Sequence, residues 1–259
     1  MNLPVEIIDA VRAGRCLVFI GTRASLEAAE LADEPYPDAA TLAKELGWKR
    51  PKVPMGGKQR GVIASVMEGA AEYERAHGRD ALVDTLRKKV GAAVPPTEAH
   101  HGVMARFPVV FTTALDDLLE RASTLPVDVI DRGARVPDPA PERRVIVKLR
   151  GGFERPDTLV LTPADVARRA LPIDVKKQLR GLIRNHAVLF VGYRPDEEEF
   201  ESLFADLSDA WGGELPRCHL SVAQGPIDDF LWQKWVWRGL LMFTADPVEC
   251  IHELSVNAV

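Results

Sequence analysis

Short apolar runs alternate along the chain with longer segments of helical periodicity. Buried parallel strands read as continuous apolar runs, because helices cover both faces of their sheet. The pattern therefore predicts an α/β fold with a doubly wound, Rossmann-like parallel sheet. The runs that we interpret as strands cover residues 16–20, 109–113, 127–130, 145–149, 187–191, 219–222 and 240–243.

The intervening segments predict helices, and one long region contains helices alone. Helices are predicted between the strands at residues 97–106, 115–122, 174–185 and 197–207. Residues 26–95 contain no apolar run of strand quality, and their periodicity predicts helices at 41–46, 59–77 and 79–90. We therefore expect a single domain over residues 1–259, with 26–95 as a helical insertion between the first two strands.

Composition and charge exclude several classes of protein. The 259 residues are 46% hydrophobic and 27% charged, with a net charge of −5, which is ordinary for a globular protein and gives no general attraction for nucleic acid or an anionic membrane. No apolar run is long enough to span a membrane, and residues 1–6 do not resemble a leader. The three cysteines lie far apart in the sequence. We expect a reduced, cytoplasmic protein without a zinc site.

Ligands of such sheets bind beyond the carboxyl ends of the strands, where the strand order reverses. Residues 21–25 predict a strand end, a glycine turn and a helix start, a geometry that directs N–H groups at an anion. A dinucleotide fingerprint needs further glycines, but Arg23 and Leu26 stand at those positions. From these residues alone, the segment 21–25 is either a plain strand-to-helix turn or a phosphate-binding site.

Four strand ends together resemble one known family. Residues 21–25 resemble the Gly-Ala-Gly-x-Ser loop of sirtuins, and 111–120 the Thr-Thr-Asn-Tyr-Asp-x-Leu-Leu-Glu segment of their bacterial relatives. Residues 148–151 are similar to a Lys-Leu-His-Gly segment, 159–165 to Val-Leu-Thr-x-x-Asp-Tyr, and 189–193 to a Gly-Tyr-Ser strand end. The segments occur in the family's order over most of the chain. The chain resembles the sirtuin-like proteins of prokaryotic defence and signalling.

The resemblance implies a small nucleotide ligand of the NAD or ADP-ribose type. It places the binding residues at Gly21, Thr22, Arg23, Ser25, Thr112, Thr113, Asp116, Arg150, Gly192 and Tyr193.

The same resemblance implies lost catalysis. The family has an asparagine that positions the ribose and the attacking water at the position of Ala114, and a histidine base at the position of Arg150. A methyl group forms no hydrogen bond, and a guanidinium cannot accept a proton. Loss of a general base alone removes a factor of ~10²–10⁴ in rate. We expect no lysine deacylation either, because three scattered cysteines cannot form the family's four-cysteine zinc module.

Three functions remain open on this interpretation. The first is a catalytically degenerate domain that acts as a nucleotide sensor or as a protein-interaction module in defence or signalling. The second is an active NAD hydrolase whose catalytic groups have moved to Asp116, Asp117 or Tyr193. The third is a structural or oligomerisation protein with an occluded pocket. Arg23 would either bind a phosphate or pair with Asp116, Asp117 or another carboxylate, and Arg150 would pair with Asp116 if it is buried.

Four other features have simpler interpretations. His100 and His101 point in different directions on a helix and predict packing and surface roles, not a metal site. The acidic residues 196–199 predict favourable charge at a helix start. Residues 56–60 resemble a phosphate loop only superficially. Among the aromatic residues near position 235, Trp237 is the one expected to be exposed, which fits a protein partner or a second copy of the chain.

Overall fold

The computed structural model describes residues 3–33, 36–49, 65–90, 94–138, 140–169, 171–215, 218–222 and 227–257. They contain a seven-stranded sheet in which every pair of neighbours is parallel. The strands are β1 (Cys16–Ile20), β2 (Val109–Thr112), β3 (Val127–Asp131), β4 (Arg144–Lys148), β5 (Ala187–Val191), β6 (Cys218–Val222) and β7 (Leu240–Thr244).

The strand order is β3-β4-β2-β1-β5-β6-β7. The predicted parallel, doubly wound sheet is therefore confirmed. β1 lies in the middle, with Phe19 opposite Phe111 of β2 on one side and Phe190 of β5 on the other. The chain winds outward from β1 in both directions, so the strand order reverses there and opens a crevice at the carboxyl edge.

Helices cover both faces of the sheet. They are α1 (Val5–Arg12), α2 (Arg23–Leu31), α3 (Ala39–Glu45), α4 (Val66–His77), α5 (Arg79–Val90), α6 (Glu98–Arg106), α7 (Leu118–Ala122), α8 (Pro163–Arg168), α9 (Ile173–Asn185), α10 (Glu198–Trp211), α11 (Asp229–Trp237) and α12 (Pro247–Asn257). Of the helices in the described ranges, none has both the length and the apolar composition to cross a membrane.

Aromatic side chains dominate the core on the face covered by α9, α10 and α11. The rings of Phe190 and Phe200 lie 5.2 Å apart, and those of Phe200 and Trp235 lie 4.9 Å apart. Trp235 is fully buried and its Nε1 donates to the Pro195 carbonyl at 2.9 Å. Trp237 is 76% exposed, as predicted. This packing anchors the start of α10 next to the crevice.

A separate apolar cluster joins α3, α4 and α5 into a layer, which we call the helical layer. α3, α4 and α5 pack with Phe153, Leu159 and Leu161, which come from the chain after β4. The helical layer is thus built from two distant segments of the chain. The apolar pattern of the segment after β4 did not predict that it packs against α3, α4 and α5. The treatment of 26–95 as one insertion stays a prediction, although α2 itself contacts α12 beside the sheet.

Two predicted helix starts need comment. α7 begins at Leu118, three residues later than predicted, because Asp116 Oδ1 accepts the Leu118 N–H at 3.1 Å and holds residues 115–117 outside the helix. α4 begins at Val66 after the cap Ser65, whose Oγ accepts the Glu68 N–H at 3.0 Å. The predicted start near 59 and the loop at 56–60 lie outside the described residues.

Candidate functional site

The loops that follow β1 and β5 touch at the middle of the carboxyl edge. A Cβ atom at Gly21 would lie 2.3 Å from the Gly192 carbonyl oxygen and 2.6 Å from the Tyr193 ring. Gly192 itself has φ +74°, which favours glycine. The Arg23 N–H donates to the Gly192 carbonyl at 3.1 Å. The two glycines allow this contact, which sets the floor of the crevice.

The first turn of α2 uses its N–H groups inside the protein. Besides the Arg23 contact, the Ala24 N–H donates to the Gly21 carbonyl at 3.2 Å, and the Ser25 N–H donates to the Thr22 carbonyl at 3.1 Å. The sequence suggested that these groups face an anion. Since they already have partners, a phosphate at this position would depend on side-chain donors.

Glu199, from the first turn of α10, links the ends of β1 and β2. Its Oε2 accepts a hydrogen bond from Thr22 Oγ1 at 2.7 Å, and its Oε1 accepts one from Thr113 Oγ1 at 2.5 Å. Thr113 Oγ1 also lies 3.0 Å from the Tyr193 hydroxyl, which donates to the Ile20 carbonyl at 3.0 Å. Three of the predicted site residues therefore share one network, and its central carboxylate is a residue that sequence reasoning missed.

The acidic run at the start of α10 does more than complement the helix dipole. Glu198 accepts from Ser65 Oγ at 2.8 Å and so joins α10 to α4. Asp196 is bound by both ends of the Arg194 guanidinium at 2.8 Å, and although burial opposes it, this contact lowers the pKa of Asp196. The interpretation of 196–199 as favourable charge at a helix start is therefore incomplete, because each of these acids also has its own partner.

Glu197 faces Arg23, at 3.8 Å from Oε1 to the guanidinium. Burial and the nearby charge of Glu199 raise the pKa of Glu197 to about 7. Arg23 thus pairs with a carboxylate other than Asp116 or Asp117. Asp117 instead pairs with Arg121 at 3.5 Å on the surface.

Asp116 is buried and already engaged. Besides capping α7, its Oδ2 accepts from the Tyr36 hydroxyl at 3.4 Å. Burial and the Asp116 charge raise the pKa of Tyr36 well above its usual value, and the Tyr36 hydroxyl also lies against Ser25. The expected ion pair between Asp116 and Arg150 is not formed: the two carboxylate oxygens accept hydrogen bonds from the Tyr36 hydroxyl and the Leu118 N–H instead.

Arg150 lies half-buried beside the Glu199 network. It lines a cavity of about 10 Å³ together with Thr113, Glu199, Met67 of α4 and Val166 of α8. Such a space holds about one water molecule. Within the described ranges no carboxylate forms an ion pair with Arg150. The space beside this cation is therefore too small for a nucleotide in the present conformation.

The side chains of two predicted binding residues, Thr112 and Ser25, make contacts inside the protein. Thr112 Oγ1 donates to the Ile20 carbonyl at 2.9 Å and accepts the Ala114 N–H at 3.0 Å, so it shapes the turn after β2. Ser25 is buried behind Tyr36. Their side chains position the loops and do not point freely into the cavity.

Lys148, at the end of β4, is a buried cation that holds the loop after β2. Its Nζ lies 2.8 Å from Glu120 Oε1 of α7 and also donates to the Asp116 carbonyl. The lysine belongs to the segment that carries the family resemblance, but the pattern alone assigned it no role. Its position indicates that it fixes α7 against the sheet edge.

The histidines fit the packing role predicted for them. His100 Nδ1 lies 2.8 Å from Thr97 Oγ1 in a cap of α6, and burial lowers the pKa of His100 to about 4. His101 Nδ1 lies 3.0 Å from the Ala122 carbonyl oxygen. In the described part of the chain, no group of histidine, cysteine or acidic residues could hold a metal ion.

The buried thiols lead to a first prediction. Cys16, Cys218 and Cys250 are buried thiols that form no disulfide among the described residues, and burial raises the pKa of each to about 12. Because the thiolate is the reactive form, we expect a water-soluble aromatic disulfide reagent to leave the native protein unmodified at about pH 8 while it labels all three thiols in denaturant. Absorbance of the released thiolate measures both, and rapid labelling of the native chain would contradict the prediction.

These features define a doubly wound, Rossmann-like α/β protein with a helical layer over its central crevice. The model of the SIR2-like domain matches residues 108–236, and the chain belongs to this sirtuin-like family. None of the curated proteins is significantly similar to it in sequence.

Solved structures of Sir2 homologues share its fold. A Sir2 homologue in complex with NAD superposes with a TM-score of 0.56 at 13% identity, over 99% of this chain and 94% of that one. A mutant Sir2 homologue with ADP-ribose gives 0.52 at 12% identity, and a mutant with 2′-O-acetyl ADP-ribose gives 0.54 at 14% identity, each over 99% of this chain and 96% of the other. At this identity the likeness shows the fold.

Proposed function

We propose that this sirtuin-like chain binds a nucleotide with a diphosphate group, of the NAD or ADP-ribose type, and does not turn it over. One observation supports this most. Arg23 and Arg150 both follow carboxyl ends of strands around the crevice; among the described residues Arg150 has no ion pair, and Arg23 has only the long contact with Glu197 at 3.8 Å. A diphosphate offers two anionic groups to two such guanidinium groups, each of which can bind phosphate in a bidentate manner.

The ligand class also has support from the relatives. The similar Sir2 homologues hold NAD or ADP-ribose, and the present chain has the same sheet and the same central crevice. The fit differs in one respect: the first turn of α2 has few free N–H groups. Side chains, not the backbone, would therefore hold the phosphates.

We expect no turnover because none of the candidate catalytic residues is suited to act as a general base. The methyl group of Ala114 forms no hydrogen bond, and the guanidinium of Arg150 cannot accept a proton. Of the relocated candidates, Asp116 is buried with two donors and Asp117 is in a surface ion pair. Burial raises the pKa of Tyr193 well above its usual value, and its proton is donated to the Ile20 carbonyl. This arrangement favours binding over an NAD hydrolase.

The small volume beside Arg150 means that binding needs movement. Met67 and Val166 line this cavity, and the hydrogen bond between Ser65 and Glu198 ties α4 to α10. We propose that α4 and α8 separate from the sheet edge when the ligand enters. A purely structural protein would also have little space there, but it would leave the Arg150 charge half-buried without a partner, which costs stability.

Calorimetric titration with ADP-ribose and with NAD tests the proposal. We expect binding of the wild-type chain and no NAD consumption at high protein concentration. Arg150→Ala should weaken ADP-ribose binding about 10- to 100-fold, since a hydrogen bond to a charged group contributes roughly 1.5–3 kcal/mol. Arg155→Ala is the matched control. Arg155 lies in the same segment but pairs with Asp131 at 2.6 Å, and its loss should leave affinity unchanged.

The other outcomes identify the alternatives. No binding of either nucleotide at millimolar concentration would reject the proposal and favour the structural function. Steady NAD consumption that disappears in Asp116→Ala would favour a hydrolase. The role in defence or signalling, the cytoplasmic location and the protein partner or second copy stay predictions.

A further inference from the structure

Arg23 and Glu197 meet across the mouth of the crevice, between the first turn of α2 and the start of α10. Their side chains are 31% and 21% exposed, and 3.8 Å separates the guanidinium from the carboxylate. This distance is too long for a hydrogen bond. The pair is an electrostatic contact that other ligands of Arg23 could replace.

Glu197 is the least well partnered acid of its run. Glu199 accepts from two threonines, and Glu198 from Ser65. Asp196 is bound by Arg194. The Glu197 side chain forms no capping hydrogen bond to α10, although it occupies the cap position.

The charges around Glu197 are mostly unfavourable to its ionised form. From its own segment, Asp196 and Glu199 repel its carboxylate and Arg194 attracts it, and from α2 Arg23 attracts it. Burial also disfavours the charge. Arg23 is therefore an important reason for Glu197 to ionise at neutral pH.

We infer that Glu197 holds Arg23 in the free protein and releases it to a phosphate group of the nucleotide, taking up a proton as it does so. The inference rests on the proposed function and adds a mechanism of regulation to it.

The exchange follows from the strengths of the two contacts. A bidentate guanidinium–phosphate contact is short and directional, whereas the contact with Glu197 is long. Since the N–H groups of the α2 turn have partners inside the protein, Arg23 is the donor available there. Once Arg23 binds phosphate, Glu197 loses its cation and gains an anionic neighbour, and both changes favour the protonated carboxyl.

The sign of the pH dependence can be stated. The pKa of Glu197 is about 7 in the free protein and higher in the complex. Between these two values binding takes up a proton, so affinity falls as pH rises; below both and above both it is constant. A difference of one pKa unit limits the change to about tenfold. We expect about fivefold weaker binding at about pH 8 than at about pH 6.

Calorimetry of ADP-ribose binding in two buffers with different ionisation enthalpies measures the proton directly. ADP-ribose suits the test because its diphosphate is a diester, whereas a phosphate monoester itself titrates at about pH 6. The wild-type chain should take up a fraction of a proton near neutral pH. Glu197→Gln should take up none, and at about pH 8 it should bind as tightly as the wild type does at about pH 6.

Glu27 provides a matched control. It also lies near Arg23, and burial and the charge of Asp246 raise the pKa of Glu27 to about 7, but it forms no ion pair with Arg23 among the described residues. Arg23 lowers the pKa of Glu27 as well, but without an ion pair, so Glu27→Gln should keep most of the wild-type pH dependence. Arg23→Gln should bind weakly and without pH dependence. Loss of the pH dependence in Glu27→Gln but not in Glu197→Gln would overturn the inference.

The two proposals fail in different ways. If the wild-type chain binds no ADP-ribose at any pH, the proposed function fails and the inference fails with it. If it binds without proton uptake, and Glu197→Gln behaves identically, the inference alone is rejected. The wild-type measurement needs no variant, so it decides the matter even if Glu197→Gln folds poorly.

Discussion

Gly21→Ala will destabilise the folded protein by about 3 kcal/mol, at the upper end of what overpacking costs. The new methyl group would lie 2.3 Å from the Gly192 carbonyl oxygen. Backbone oxygens of neighbouring strand ends cannot shift easily, because Arg23 donates to this same carbonyl and β1 and β5 are paired along their length. The contact between the two loops would have to open, and with it the floor of the crevice.

Gly181→Ala is the control for this substitution. Gly181 lies inside α9, and a Cβ atom there would meet nothing within 4 Å. Alanine is the better helix former by about 1 kcal/mol, so this variant should be slightly more stable than the wild type. Urea denaturation measures both free energies of unfolding. If both variants have wild-type stability, the loops after β1 and β5 are not in the close contact described.

Lys148→Met will cost about 3 kcal/mol of stability. Its side chain is 4% exposed and lies 2.8 Å from Glu120. Removal of one partner from a buried ion pair leaves the other charge without compensation, which costs roughly 3–5 kcal/mol. The Glu120 side chain is 23% exposed, although its Oε2 atom is buried without a hydrogen-bond partner; water that reaches Oε1 in the variant would keep the loss at the lower end of that range. The variant should also loosen α7 and the loop after β2.

A double-mutant cycle tests the cause of this loss. Lys148→Met with Glu120→Gln should recover part of the stability, because no charge is then left unpaired. Lys176→Met is the surface control: Lys176 pairs with Asp209 at 2.5 Å, but Asp209 is 68% exposed, so the loss should stay below about 1 kcal/mol. Urea denaturation measures both losses of stability. If Lys148→Met and Lys176→Met lose the same free energy of unfolding, the buried ion pair of Lys148 contributes no more than a surface pair.

The middle of the sheet was predictable because its strands, such as β1 and β5, are buried at every position. A strand such as β5 must be apolar at every position when helices cover both faces of the sheet. That requirement leaves a continuous signal in the sequence. The carboxyl ends of the strands then identify the crevice, and so the positions of Arg23 and Arg150, without any knowledge of side-chain contacts.

The partners within the site were not predictable in the same way. Asp196 to Glu199 form an unbroken acidic run, so their charge pattern does not distinguish Glu199, which links the ends of β1 and β2, from its neighbours. Asp116 was expected to meet Arg150, but it binds Tyr36 from a loop 80 residues away in the chain. Competition among several nearby partners, each with its own geometry, decides such contacts.

The sequence by itself determined the alternation of strands and helices, the crevice at the strand ends and the presence of Ala114 and Arg150 after two of those strands. These are properties of periodicity and residue type, which each segment carries alone. Only the tertiary structure decided that little space is left beside Arg150, that Arg150 has no ion pair among the described residues, and that Arg23 faces Glu197. Those outcomes depend on distances between segments far apart in the chain, because packing brings only some of the charged groups within reach of one another.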